Sequence, residues 1–360
     1  MISPRSLSKL FNVQFSIILT LFLAFSVVGC GGCDSPTPKG KKTTDNPKDT
    51  PKNFKKVVAL LHGLGAPGDL VGEEAKLKKD LPGYEIIRLV RQNSTQVSTT
   101  QQADEMYHQL KDQIKQKGLT DPAICLMGDS HGGLVALELY RKYKDQLNIV
   151  GIITNHSPLE GSPGVDASPD AIENFKQAFS NILVGSGNPT LVFAASFLQA
   201  LDLKNILTKN IQSVVRQDLT PGSPLLANIK STLSSIQIPV LILAGNVDIK
   251  VGILTLLSMA SVSQPLLENI IKPLEKTLDK LPLDDPMLKQ LEETFGKVIG
   301  NKENDCFLPY CSQTAKNIPA SPTVKGLWSK DYHHFYSIAG HQKMYPKILE
   351  FINQAFETKK

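Results

Sequence analysis

Short, nearly uninterrupted apolar runs alternate along the chain with longer segments in which apolar residues recur every three or four positions. The runs at 57–61 (VVALL), 84–90 (YEIIRLV), 123–127 (AICLM), 149–153 (IVGII) and 239–245 (PVLILAG) are short and bounded by turn residues. That is the pattern of strands buried on both faces. Between them, 99–117 carries Met106, Leu110 and Ile114 at helical spacing, and a further helix is expected over 134–143. Strand and helix in alternation predict an α/β fold, with a mostly parallel sheet covered by helices on both faces. Two long stretches of helical pattern interrupt the alternation, at 163–235 and 251–297. The first is dense in Leu191, Val192, Phe193, Phe197 and Leu198, the second in Leu254, Leu256, Leu257 and Met259. A closing region around 323–338 precedes a final amphipathic helix at about 345–356. No internal repeat is present.

The first 56 residues do not share this pattern. Arg5 and Lys9 precede an apolar stretch from about Phe15 to Gly29, which reads as a secretory signal peptide over 1–29. The stretch ends in Val27-Val28-Gly29-Cys30, which resembles the lipobox of bacterial lipoproteins. That resemblance implies cleavage before Cys30, lipidation of Cys30 and a membrane-anchored protein of the cell envelope, since two or more acyl chains anchor stably where one does not. Residues 30–56, rich in Pro, Gly, Lys and Thr, have too little apolar surface to fold and read as a disordered tether. The remaining 57–360 is one folded body carrying the helical insertions.

Composition narrows the chemistry only a little. Across 360 residues, 39 Lys and Arg against 34 Asp and Glu give a net charge of +5, too mild for nucleic acid as the main partner. Five cysteines show no paired metal-binding spacing. Cys306 and Cys311 are close enough in sequence to bridge, and export would permit it. Cys125, inside an apolar run, reads as core filler. No protein partner is evident.

Gly128-Asp129-Ser130-His131-Gly132 fits G-x-S-x-G, set between a buried strand and the start of a helix. A serine on so sharp a strand-to-helix turn needs small neighbours, and the helix N-terminus points backbone N–H groups at any oxyanion formed there. His62-Gly63-Leu64-Gly65, at the end of the first strand, resembles the oxyanion loop of lipases and esterases. Asn155-His156-Ser157-Pro158 through Ser162-Pro163 is similar to the TPHxGSP-like segment of bacterial triacylglycerol lipases, and Asp218-Leu219-Thr220-Pro221-Gly222-Ser223 to an element of their lids. From residue 57 almost to the C-terminus, the chain therefore resembles an α/β-hydrolase of the bacterial lipase/esterase type.

That resemblance implies a catalytic triad in the order serine, acid, histidine. Ser130 is the expected nucleophile, with the N–H groups of Leu64 and His131 as oxyanion donors and the rings of His62 and His131 left to orienting or packing roles. Two aspartates compete for the acid. Asp248 follows a buried strand. Asp305 begins Asp305-Cys306-Phe307-Leu308-Pro309, similar to the NDGLVPxxS segment of lipases, with Cys306 in place of the usual glycine, and Asp305 is preferred. His341, ahead of the final helix, is the expected base; His333 and His334 are expected in packing or at the surface. The reaction implied is ester hydrolysis through an acyl-enzyme, with neither metal nor organic cofactor. A lipid or other acyl ester is the expected substrate, and the helical insertions read as a lid. A phospholipase or lysophospholipase, an acyltransferase and a non-catalytic lipid- or partner-binding lipoprotein stay open as alternatives.

Overall fold

The computed structural model describes residues 56–66, 70–200, 211, 213–263, 268–330, 332–334 and 337–357. The expected signal peptide, Cys30 and most of the tether lie outside the described residues. Six strands form one sheet: β1 (Lys56–Leu61), β2 (Glu85–Leu89), β3 (Ala123–Asp129), β4 (Ile149–Asn155), β5 (Val240–Gly245) and β6 (Val324–Ser329). They lie in the order β2-β1-β3-β4-β5-β6, and every neighbouring pair is parallel. The expected architecture, a parallel sheet with helices on both faces and helical insertions, is what is observed.

Alternation along the strands assigns each side chain to a face. Val57, Ala59 and Leu61 of β1, with Ile124, Leu126 and Ile152, pack beneath the helices α2 (Thr99–Gln116) and α3 (His131–Tyr143). Val58, Leu60, Cys125, Met127 and Ile153 face α1 (Val71–Asp80) and the last helix, α12 (Met344–Glu357). Burying each such aliphatic side chain contributes roughly 1.5–3 kcal/mol, which is what fixes the register of the pairing. Helix α2 starts at a reciprocal cap, Ser98 with Gln101, at the point where its apolar stripe begins.

The two excursions are helical as expected. Between β4 and β5 lie α4 (Pro169–Gly185), α5 (Pro189–Ala200), α6 (Ser213–Leu219) and α7 (Pro224–Ser235). Between β5 and β6 lie α8 (Ile249–Ser263), α9 (Glu268–Lys280), α10 (Pro286–Ile299) and the short α11 (Tyr310–Thr314). Helices α4, α7 and α10 each begin with a capping Ser or Asp followed by Pro at the first helical position. Residues of α4, α5, α8, α9 and α10 form an apolar cluster of their own, including Phe175, Leu191, Ile253, Leu274 and Phe295. No described helix is long and apolar enough to cross a membrane.

Two departures from the sequence pattern have clear causes. Helix α1 buries only Glu73 and Leu77, so it shows no apolar periodicity to read. Strands β3 and β4 run past their apolar stretches through Gly128-Asp129 and Thr154-Asn155. Those polar ends are paired: Asn155 Nδ2 donates to Asp129 Oδ1 at 2.6 Å, and Tyr332 Oη donates to Asn155 Oδ1 at 2.7 Å.

Candidate active site

Ser130 stands between β3 and α3 with φ 51° and ψ −125°, a conformation that an L-residue adopts only when its surroundings impose it. The surroundings are backbone. A Cβ on Gly128 would lie 2.3 Å from the Gly132 carbonyl oxygen, and one on Gly132 would lie 2.2 Å from that of Leu61. The first turn of α3 is thus pressed against β1 and β3, and the serine is forced outward, partly exposed. Its own N–H donates to the Asn155 carbonyl at 2.7 Å.

The hydroxyl meets a histidine. His334 Nε2 is 2.9 Å from Ser130 Oγ, and His334 Nδ1 is 2.9 Å from Asp305 Oδ2. Asp305 is fully buried. Its Oδ1 accepts the backbone N–H groups of Phe307 at 3.0 Å and Leu308 at 2.7 Å. Burial alone would raise its pKa, but the charge of His334 and the hydrogen bonds from His156 and His334 outweigh that and hold the carboxyl well below its usual range. His334 moves the other way: burial pulls its pKa down, yet the Asp305 charge and hydrogen bond and the nearby Asp129 leave it above the ordinary histidine value. The arrangement keeps the carboxylate ionised and the imidazole basic, as proton removal from a hydroxyl requires.

The structure brings Ser130 and Asp305 together through His334 rather than His341. His341 lies just ahead of α12: its Nδ1 accepts the N–H groups of Lys343 at 3.3 Å and Met344 at 3.2 Å, and its carbonyl accepts from Tyr345. Its buried ring sits edge-on to Tyr332, with centroids 4.7 Å apart. The imidazole within hydrogen-bond distance of Ser130 Oγ is that of His334, and this corrects the sequence expectation. His334 follows β6 and its N–H donates to the Asp305 carbonyl at 2.9 Å, so acid and base are joined through backbone as well as side chain. The competing acid, Asp248, is exposed and accepts from the Lys250 N–H at the start of α8.

The residues expected to form the oxyanion loop flank Ser130. A Cβ on Gly63 would lie 3.2 Å from Ser130 Cβ, so this turn lies directly against the serine, with Leu64 next along it; His131 follows Ser130 as the first residue of α3. The rings of both histidines here are held by hydrogen bonds. Arg91 Nη1 lies 3.1 Å from His131 Nδ1 and, being a donor only, makes that nitrogen the acceptor. His131 Nε2 then donates to Thr99 Oγ1 at 2.9 Å. In the same way the Arg91 N–H donates to His62 Nε2, and His62 Nδ1 donates to the Gly63 carbonyl at 2.6 Å. Burial first and the Arg91 charge second lower the pKa of His62 to about 4 and that of His131 well below the ordinary value. Arg91 is itself buried, and its Nη2 donates to the Gly63 carbonyl at 3.4 Å and its Nη1 to Gln102 Oε1 at 2.6 Å.

One residue at the site was given no chemistry by the sequence. His156 Nδ1 lies 2.8 Å from Asp305 Oδ2, the same oxygen that His334 uses. The signal was present in the Asn155-His156-Ser157-Pro158 segment, but only as a likeness. Donor atoms of His156, Asp305 and His334 lie within 4.8 Å of one another, the described cluster suited to a cation. Both ring nitrogens facing the carboxylate are already engaged in hydrogen bonds to it, as a proton relay requires. Cys125, Cys306 and Cys311 are free cysteines, so the bridge that the spacing of Cys306 and Cys311 would permit does not form. Cys306 stands at φ 83°, in the left-handed region that favours glycine, which explains why the resembling segment carries glycine at this point.

No protein-family model and no curated protein matches the chain at the level of sequence. Solved structures similar to it include a Bacillus licheniformis lipase, BlEst2 in its mature form, at TM-score 0.44 and 15% identity, covering 85% of this chain and 96% of that one. A monoacylglycerol lipase from Paleococcus ferrophilus is similar at TM-score 0.41 and 16% identity, covering 84% and 95%. Phospholipase PlaB from Legionella pneumophila is similar at TM-score 0.36 and 13% identity, covering 53% and 37%. At these identities the likeness concerns the fold alone.

Proposed function

We propose that the chain is a serine hydrolase of carboxylic esters, with Ser130 as nucleophile, His334 as base and Asp305 as the acid that orients it. The observation that carries the reading is the unbroken run of hydrogen bonds from Ser130 Oγ through the two ring nitrogens of His334 to Asp305 Oδ2. As Oγ bonds to the ester carbonyl carbon, its proton passes to His334 Nε2. The Leu64 and His131 N–H groups, beside Ser130 on β1 and α3, would receive the oxyanion. Collapse of the tetrahedral intermediate breaks the bond to the leaving alkoxide, which takes the proton from Nε2. Water, deprotonated by the same nitrogen, then attacks the acyl-enzyme and releases the carboxylic acid, and Oγ recovers its proton.

For substrate we favour lipid esters. The helices between β4 and β5 leave Val184, Val192 and Phe193 exposed, the last at 60%, and Leu283 stands out between α9 and α10 at 66%. Such side chains suit contact with an acyl chain or a lipid surface. An exported protein anchored through a lipidated Cys30 would meet that surface, and this localisation belongs to the proposal. The test is turnover of p-nitrophenyl esters over a chain-length series by the full chain and by Ser130→Ala, followed by neutral fats and phospholipids. Equal rates for the two proteins would refute the hydrolase reading. A flat response to acyl length would refute the lipid assignment while leaving the hydrolase standing.

A further inference from the structure

His156 is wholly buried and stands at φ 46°, a left-handed conformation that a residue with a Cβ holds only at a cost. Its N–H is fixed to β5 through the Leu243 carbonyl at 3.0 Å, so the strain is built in by the sheet. The side chain is equally constrained. Gln313 Nε2 donates to the carbonyls of Gly245 at 3.2 Å and Leu308 at 3.0 Å, and its Oε1 accepts from the Gly245 N–H at 2.8 Å. Those three bonds leave no doubt which end of the amide is oxygen. Oε1 lies 3.1 Å from His156 Nδ1, so that nitrogen carries the hydrogen and shares it between Gln313 Oε1 and Asp305 Oδ2. On the far side of the ring, Nε2 is buried with no hydrogen-bond partner among the described residues, so a second proton there would go unmatched.

We infer that His156 is a positioning residue for the reaction, a fixed hydrogen-bond donor that competes with His334 for Asp305 Oδ2 and so sets the basicity of His334. The inference rests on the serine hydrolase reading above. Two donors on one oxygen divide its negative charge, and whatever His156 takes is not available to stabilise a protonated His334. The carboxylate does not need His156 to stay in place, because Oδ1 keeps the Phe307 and Leu308 N–H groups. Removing the second donor should therefore act on proton affinity more than on geometry. The titratable groups facing His334 are Asp305 from the loop before α11, Asp129 from the end of β3, with Glu73 of α1 acting on it, His156 after β4 and the adjoining His333. All except His156 stay the same in the experiment.

The full chain is compared with His156→Phe, which keeps the ring volume against Tyr332 but has no donor, and with His156→Asn, whose amide places an N–H near the position of Nδ1. Phe is expected to move the acidic limb of the kcat/KM profile for p-nitrophenyl butyrate up by about one pH unit. That lowers the rate below the limb about tenfold, with KM within about twofold. Asn is expected to keep the limb near that of the parent. If Phe does not fold, His156→Leu carries the same arm. A limb that stays put in a folded Phe or Leu variant, or moves equally in Asn, overturns the inference. NMR titration of the His334 ring in the parent and the same variants reads the shift without substrate. The inference can thus fail while Ser130-dependent turnover persists, whereas loss of the Ser130 dependence would overturn the hydrolase reading on which it rests.

Discussion

The assignment of His334 rather than His341 separates two substitutions that sequence alone would rank the other way round. His334→Ala removes the group that takes the Ser130 proton, and loss of a triad histidine or of its tautomer control typically lowers kcat by about 10⁴ to 10⁶. At about 1.36 kcal/mol per decade that is roughly 5.5–8 kcal/mol of transition-state stabilisation. His341→Ala touches no reacting atom. It removes the acceptor for the Lys343 and Met344 N–H groups and the edge-on contact with Tyr332. A lost cap costs about 1 kcal/mol and an aromatic contact of this kind about 0.5–1.5 kcal/mol. At about 2–4 °C per kcal/mol for domains somewhat smaller than this one, the melting midpoint should fall by several degrees. The assay pairs p-nitrophenyl butyrate turnover at 25 °C with a thermal melt on the same samples. His334→Ala should melt close to the parent and be inactive; His341→Ala should melt early and keep kcat within about threefold. Loss of turnover in a folded His341→Ala, with turnover retained in His334→Ala, would refute the geometric argument.

Asp305→Asn should lower kcat by about 10⁴, because an amide cannot hold the His334 tautomer, while Asp248→Asn should stay within about threefold on the same esters. The raised pKa of His334 puts the acidic limb of the parent pH–rate profile above the ordinary histidine range, with activity rising as pH climbs through it and the ring loses its proton; a limb at or below that range would contradict the charge arrangement at Asp305. Gly132→Ala sets a methyl 2.2 Å from the Leu61 carbonyl oxygen and should destabilise by at least about 1–3 kcal/mol with loss of activity, read by denaturant melts. Arg91→Met leaves Gln102 Oε1, His131 Nδ1 and the Gly63 carbonyl without that donor; at about 1–3 kcal/mol for a buried group left unpaired, the melt should shift markedly, and an unchanged melting midpoint would show that the buried cation is dispensable.

Five of the six strands were legible because strands buried on both faces leave short apolar runs bounded by turn residues, whereas β6, half exposed, left no such run; the elbow was legible because backbone crowding admits only glycine at 128 and 132. Asp305 could be read because its local job, accepting from Phe307 and Leu308, is written into the residues that follow it. The histidine could not be settled in the same way. His334 and His341 both lie after the last strand and before the last helix, and a helix-capping histidine looks in sequence like one held free for chemistry. Only the distance to Ser130 separates them. His156 was harder still, since its partners, Asp305 and Gln313, are some 150 residues away and no local periodicity links them. Polar strand ends such as Asn155 hid in the same way, through a partner, Tyr332, contributed from beyond β6.

The helical excursions keep an apolar cluster separate from the two on the sheet, and the aspartate stands at their foot. The Val247 N–H donates to the Asn304 carbonyl at 2.9 Å, and a Cβ on Gly252 of α8 would lie 3.6 Å from Cys306 Sγ. Ser130 is rooted in the sheet, whereas the acid leans on the insertion. A region with its own packed interior can melt as its own cooperative unit. On gentle warming, turnover should therefore fade together with only the helical part of the circular dichroism that the insertions contribute, and return on cooling, since the nucleophile would have waited on an intact sheet for its carboxylate to come back.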